Sequence, residues 1–200
     1  MRDFAYPKPL RFPNHALPNK TAMTQKDAAH LLSGRLIVEE KMDGRQTSIG
    51  VDRFIICAED LRRVHTIRYK VPARYAAFDV YDTRSGQFLD PTEKKRVIVF
   101  YSKRSDFLPK SHSSGIFQVM EIERGIFSLD ELEELIDRES KYSIVGRMEG
   151  IVVKPARILF YDEHLTGKII RPEFEEGIGD HYLRRPAKLN QINPRFSKSQ

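Results

Sequence analysis

Leu36-Ile37-Val38-Glu39-Glu40-Lys41-Met42-Asp43-Gly44 decides how the rest of the chain is read. Its apolar start is a strand, and Asp-x-Gly is a turn that ends it, so a strand delivers Lys41 to a bend. The pattern beyond stays with strands. Gln46 to Val51 alternates, Asp52-Arg53 turns, and Phe54-Ile55-Ile56-Cys57 returns. Tyr75 to Tyr81 is another strand, closed by Asp82-Thr83-Arg84-Ser85-Gly86. Glu149 to Lys154 is short and β-branched, with Arg157 to Tyr161 predicted to return beside it. Lys168-Ile169-Ile170-Arg171 is one more strand, stopped by Pro172.

Helices are fewer. Thr24 and Asp27 form a capping box for a helix carrying Ala28, Leu31 and Leu32, with Gly34 as its stop. A short helix follows Pro91. Ser128 and Glu131 cap a third, with Leu129, Leu132, Leu135 and Ile136 on one face. Isolated helices among strands, without βαβ alternation, predict an α+β fold of mainly antiparallel sheets with flanking helices. One domain is expected over residues 1–185, its first 20 residues an irregular arm, followed by a basic tail at 186–200.

Two hundred residues, 40% of them apolar and 31% charged, describe an ordinary soluble protein. No apolar run approaches the ~20 residues that span a bilayer, and no secretory signal is read at Met1 to Pro18. Cys57 is the single cysteine, which excludes an internal disulfide or a thiolate zinc site and fits a reducing, cytoplasmic setting. The net charge of +6 favours a polyanionic partner. Lys94-Lys95-Arg96 and the tail residues Arg184, Arg185, Lys188 and Arg195 are candidate contacts to a nucleic-acid backbone.

A lysine before a turn is ordinarily a surface charge. Lys41 earns attention because later strands supply cations that can gather around it. Positive neighbours and desolvation both push a lysine toward the neutral, nucleophilic amine. In Glu149-Gly150-Ile151-Val152-Val153-Lys154, alternation puts Glu149, Ile151 and Val153 on one face and Gly150, Val152 and Lys154 on the other. Lys168 and Arg171 follow.

In order and type these pieces resemble the covalent nucleotidyltransferase superfamily of ATP-dependent ligases and capping enzymes, and among them the RNA ligases. Lys41-Met42-Asp43-Gly44 looks like the KxDG motif, whose lysine attacks the α-phosphate of ATP. Ala76-Ala77-Phe78-Asp79-Val80-Tyr81 looks like the strand whose aromatic residue stacks on adenine. Glu149 to Lys154 looks like EGxVxK, and Gly167 to Phe174 like the KxxRPEF-type strand of a subset of RNA ligases. Ala58-Glu59-Asp60-Leu61 with His65-Thr66-Ile67 resembles that subset's GE(N/W)L…HxI segment, making Glu59 a ribose ligand.

The resemblance implies a nucleotidyltransferase (ATP-grasp-like) adenylation domain. It implies catalysis by Lys41, Glu149, Lys154 and Lys168, with Lys154 and Lys168 at the α-phosphate and Glu149 holding Mg²⁺ or Mn²⁺. Glu40, Asp43, Gly44, Gln46, Glu59, Phe78 and Arg171 complete the expected nucleotide site. The implied reaction is ATP-dependent joining of 5′-phosphate and 3′-hydroxyl RNA ends through lysyl-AMP, by a monomer. A DNA ligase, a capping guanylyltransferase and a catalytically weak nucleotide- or RNA-binding module are the alternatives. Gln46 stands where RNA ligases usually have asparagine, and Ala58 where glycine is common. The connection from Gly44 to Glu59 lacks an arginine-bearing insertion, for which Arg53, Arg62 and Arg63 are the candidate replacements.

Overall fold

The computed structural model describes residues 4–18, 20–104, 115–175 and 188–192. The first sheet contains β1 (Leu10–Arg11), β2 (Leu36–Glu40), β9 (Glu121–Gly125), β10 (Gly150–Pro155) and β12 (Gly167–Ile170), in the order β1-β12-β10-β2-β9. The second contains β3 (Arg45–Val51), β4 (Phe54–Asp60), β6 (Tyr75–Asp82), β7 (Gln87–Phe88) and β11 (Leu159–Phe160), in the order β11-β7-β6-β4-β3, with β8 (Ile116–Gln118) beside β6. A small third sheet pairs β5 (Lys70–Val71) with β13 (Gln191–Ile192). Helices α1 (Gln25–Leu32), α2 (Pro91–Ser102), α3 (Leu129–Leu135) and the short α4 (Pro172–Glu175) complete the described elements.

Antiparallel pairing dominates, as the α+β expectation required; β1–β12, β6–β8 and β5–β13 are parallel. Both predicted capping boxes form: Thr24 Oγ1 accepts from Asp27 N at 3.1 Å, and Ser128 Oγ from Glu131 N at 3.3 Å. The helix after Pro91 is longer than expected, at 12 residues. Asp90 caps it by accepting from Thr92 N and Glu93 N, and Pro91 suits its first turn.

One return strand differs from its prediction. Leu159–Phe160 does not lie beside β10 but pairs with β7 in the second sheet. Both sides of β10 are already occupied, by β2 and β12, so the chain must leave that sheet after Pro155.

Alternation along β2 and β10 sets the layers. Leu36, Val38, Ile151 and Val153 face a core built with Leu31 of α1 and Leu132 and Leu135 of α3. The opposite face of these strands carries Ile37, Glu39, Val152 and Lys154. The N-terminal arm is packed down by Tyr6 and Phe12, both buried. No described helix is long and apolar enough to cross a membrane.

Candidate active site

Residues 41–44 carry the chain from the first sheet to the second. Lys41 N donates to Gly150 O at 3.0 Å, tying the loop to the start of β10. Asp43 N donates to Tyr69 Oη at 3.1 Å, while Asp43 Oδ2 accepts from Thr66 N at 2.5 Å. Gly44 has no room for a side chain: a Cβ there would lie 2.9 Å from Asp60 O and from Leu61 Cδ2. The turn residues of Lys-x-Asp-Gly therefore anchor the lysine by backbone contacts. His65 Nδ1 lies 3.9 Å from Asp43 Oδ1, packed against the loop.

Lys41 Nζ meets Glu149 Oε2 at 2.5 Å. The two side chains are 20% and 2% exposed, so the lysine is the member open to a ligand. Burial raises the Glu149 carboxyl above its ordinary pKa, opposed chiefly by Lys41. Burial also pushes Glu59 up to about 8, opposed by Lys41 and reinforced by Asp43 and Glu149. Lys168 moves the other way, to about 8, through burial and then the positive charges of Lys41 and Arg11. Lys41, Glu149, Glu59, Asp43 and Lys168 thus act on one another in a single field.

Glu149 and Glu59 supply hard oxygen donors, and Glu59 Oε2 is buried without a hydrogen-bond partner among the described residues. No cluster of three or more potential metal-ligating side chains occurs among those residues. This donor set suits Mg²⁺, which takes one or two carboxylates together with phosphate oxygens and water.

Lys154 is placed elsewhere, opposite Ile37 at the other end of β10. Its ammonium meets Glu39 Oε2 at 2.6 Å, Phe78 O at 2.7 Å and Asp79 Oδ2 at 3.1 Å. Two of its three donors are taken by Phe78 O and Asp79 Oδ2, and Glu39 adds an ion pair. Lys94 joins the cluster through Glu39 Oε1 at 2.5 Å and Phe78 O at 3.0 Å. Phe78 O is available because Phe78 is the extra residue of a bulge: Cys57 pairs with Asp79, and Ala58 with Ala77. Tyr6 Oη donates to Asp79 at 2.7 Å, and His164 Nε2 lies 3.5 Å from the same carboxylate. The Phe78 ring is half-buried, edge-on to Tyr6 at 4.9 Å, with Lys154 Nζ 5.4 Å from its centroid.

Three further predicted residues have structural partners. Glu40 N donates to Met120 O, and its carboxylate accepts from Ser140 Oγ at 2.5 Å. Burial raises that carboxyl to about 7. Gln46 is exposed on β3 opposite Glu59. Arg171 reaches away to the end of α3, at 2.6 Å from Ile136 O and 3.0 Å from Asp137, while its backbone N holds Glu149 O at 2.9 Å.

Sequence reasoning missed Glu39, Lys94, His164 and Asn190. Alternation from Lys41 would have put Glu39 on the lysine's face. Lys94 belongs to a basic run read as surface, yet it is buried. Arg184, Arg185 and Arg195 lie outside the described residues.

The RNA ligase family's sequence model matches residues 50–170, more than half of the chain. The chain belongs to the RNA ligase family. The matched span contains Glu59, Phe78, Glu149, Lys154 and Lys168 and begins after the Lys41 loop. Among solved structures, an RNA ligase of Naegleria gruberi, solved with PPi, is similar at 14% identity and a TM-score of 0.46. The match covers 89% of this chain and 62% of that one, so this chain spans less than two thirds of its length. No curated protein sequence matches.

Proposed function

We propose that this chain is an ATP-dependent RNA ligase whose Lys41 accepts AMP. The observation that carries the reading is the meeting of Lys41, Glu149, Lys168 and Glu59, from both sheets, at the loop that joins those sheets. In the first step Lys41 Nζ, having lost a proton, bonds to the α-phosphorus of ATP. The α–β phosphoanhydride bond breaks and pyrophosphate leaves with its electron pair. That proton passes to solvent water, while Glu149, hydrogen-bonded to the ammonium at 2.5 Å, orients the lysine and stays ionised. Lys168 offers positive charge to the α-phosphate oxygens, where the transition state concentrates negative charge. Glu59 orients the ribose, and Phe78 offers its ring to the base.

Glu149, with Glu59 nearby, would hold Mg²⁺ or Mn²⁺, which supplies neutralisation of phosphate charge when bound. Lys154 acts from behind the pocket by fixing Glu39 and the Phe78 carbonyl. AMP then passes to a 5′-phosphate end, forming a new phosphoanhydride and freeing the lysine. Attack by a 3′-hydroxyl displaces AMP and leaves a phosphodiester.

Incubation with α-labelled ATP and Mg²⁺ will attach label covalently to the wild type and not to Lys41→Ala. Absence of label from either ATP or GTP would overturn the reading; label from GTP alone would make the chain a guanylyltransferase. Nicked RNA, DNA and hybrid duplexes then identify the strand that is joined.

A further inference from the structure

The short connection between Gly44 and Glu59 leaves three arginines as replacements for the one it lacks, and the structure separates them. Arg53 lies in the turn at the far end of the β3–β4 hairpin, where it meets Asp82 at 3.4 Å. The seven residues of β3 place that turn roughly 20 Å from the Lys41 end, at about 3.4 Å per residue. Arg62 and Arg63 follow Asp60, whose partner Arg45 begins β3 beside the Lys41 loop.

We propose that an exposed rim of Arg62, Arg63, Arg68 and Lys188 holds the sugar–phosphate backbone of the RNA strand being joined. This rests on the ligase reading and adds the substrate's seat. Three observations support it. The first is position: Asp43 binds Thr66 N and Tyr69 Oη, which fastens the Leu61–Tyr69 segment to the loop carrying Lys41.

The second is charge. All four cations are exposed, and no carboxylate pairs with them among the described residues. The adjacent Asp60 is engaged by Arg74 at 2.5 Å. Four exposed arginines elsewhere do meet carboxylates, Arg96 with Glu93, Arg124 with Glu121, Arg138 with Glu123 and Arg157 with Glu163, while Arg35, Arg45 and Arg84 are exposed singly and not gathered on one segment. A rim left unneutralised attracts polyanions, and guanidinium groups suit phosphate.

The third is order. Asn190 is buried and clasps the segment from behind. Its Oδ1 accepts from Tyr69 N at 2.7 Å, and its Nδ2 donates to Leu61 O at 2.8 Å and Arg63 O at 3.2 Å. Val64 N donates to Lys188 O at 2.9 Å, which sets Lys188 beside the arginines. A backbone fixed before binding lowers the ordering cost of holding a flexible strand.

The test is fluorescence anisotropy of a labelled single-stranded RNA, without ATP, across a salt series. Arg62→Ser/Arg63→Ser is expected to weaken binding about tenfold or more. It should flatten the log–log salt dependence by about 1.4, at about 0.7 per single-strand phosphate contact. Arg35→Ser/Arg84→Ser, exposed arginines elsewhere, should bind like wild type. Unchanged affinity in the rim variant, equal loss in the control pair, or no RNA affinity in the wild type would each overturn the proposal. Lys41 labelling is a separate assay. Its failure with RNA binding intact falls on the ligase reading and leaves the rim standing.

Discussion

Lys41 and Lys154 rise from neighbouring antiparallel strands, yet their surroundings are opposite in kind. Lys154 is buried, donates to Asp79 and the bulged Phe78 carbonyl, and pairs with Glu39 by charge. Burial alone would raise the Asp79 carboxyl, but Lys154, His164 and Lys94 outweigh it and hold that pKa well below the usual carboxylate range. Burial likewise disfavours the Lys154 charge, and Asp79 with Glu39 more than restores it. At the other end, Lys41 pairs with one carboxylate among the described residues and stays 20% exposed, while Lys168 and Glu59 are both pushed toward their neutral forms. Charges completed by protein partners hold the sheets together. Charges left short of partners are the ones that, under the proposed ligase reading, a nucleotide and a divalent ion complete.

The largest effect should come from breaking the completed cluster. Lys154→Met leaves Glu39 and Asp79 buried with less compensation, and removing one member of a buried ion pair costs about 3–5 kcal/mol. Urea unfolding should show that loss directly. If Lys154→Met folds with wild-type stability and fails only in labelling, the division between the two lysine sites is wrong.

Lys168→Met probes the incomplete end and should separate stability from activity. Burial lowers the Lys168 pKa, so the fold disfavours its charge; replacing it should leave stability unchanged or raise it by up to about 1 kcal/mol after solvent screening. Covalent labelling of Lys41 should fall about 10²-fold, the scale for removing one preorganised charge stabiliser. Parallel loss of stability and labelling would erase the contrast with Lys154.

How much of this was legible follows from the same residues. The strand character of Leu36–Val38, Phe54–Cys57 and Glu149–Lys154 could be read because β-branched runs met turn residues. The gathering of Lys41, Glu149 and Lys168 was legible only as an order of motifs. No local pattern says that Lys41 N will bond Gly150 O. The surroundings of Lys154 could not be read, because Asp79 and Lys94 reach it from β6 and α2, and a basic helical run looks the same whether it faces solvent or a buried glutamate. The Leu159–Phe160 error has a related cause: strand pairing depends on which edges are already filled. Asn190 carried no signal at all. A lone asparagine in a basic tail acquires its role only when Tyr69 and Leu61 present free backbone groups to it.

Titration sharpens the contrast at a smaller scale. Burial holds the Glu59 carboxyl at about 8 in the fold against its ordinary 4.5, so the folded state holds more protons between those values. Its contribution is therefore most favourable below the unfolded pKa and is lost as pH rises through about 8. Lys168 has the opposite sign: its penalty is fully present below about 8 and is relieved as pH climbs toward 10.5. Glu59→Gln should melt near the wild-type temperature at pH 5. At pH 8 it should be clearly more stable than the wild type and melt several degrees higher. An equal gain at both pH values would detach the effect from Glu59 ionisation.

The smallest effect belongs to the far end of the β3–β4 hairpin. Arg53 is half-exposed, lies 3.4 Å from Asp82 and rests over the Phe54 ring at 4.8 Å. An exposed ion pair of this kind contributes about 0–1 kcal/mol. Arg53→Ala should therefore lower stability by no more than that and leave both Lys41 labelling and RNA affinity at wild-type levels. Its value is positional. Arg53 and Arg62 are equally plausible substitutes for the missing arginine when only the sequence is read, and the hairpin puts one at each end. An Arg53→Ala variant that loses RNA affinity would place the strand along the hairpin and away from the rim beside Lys41.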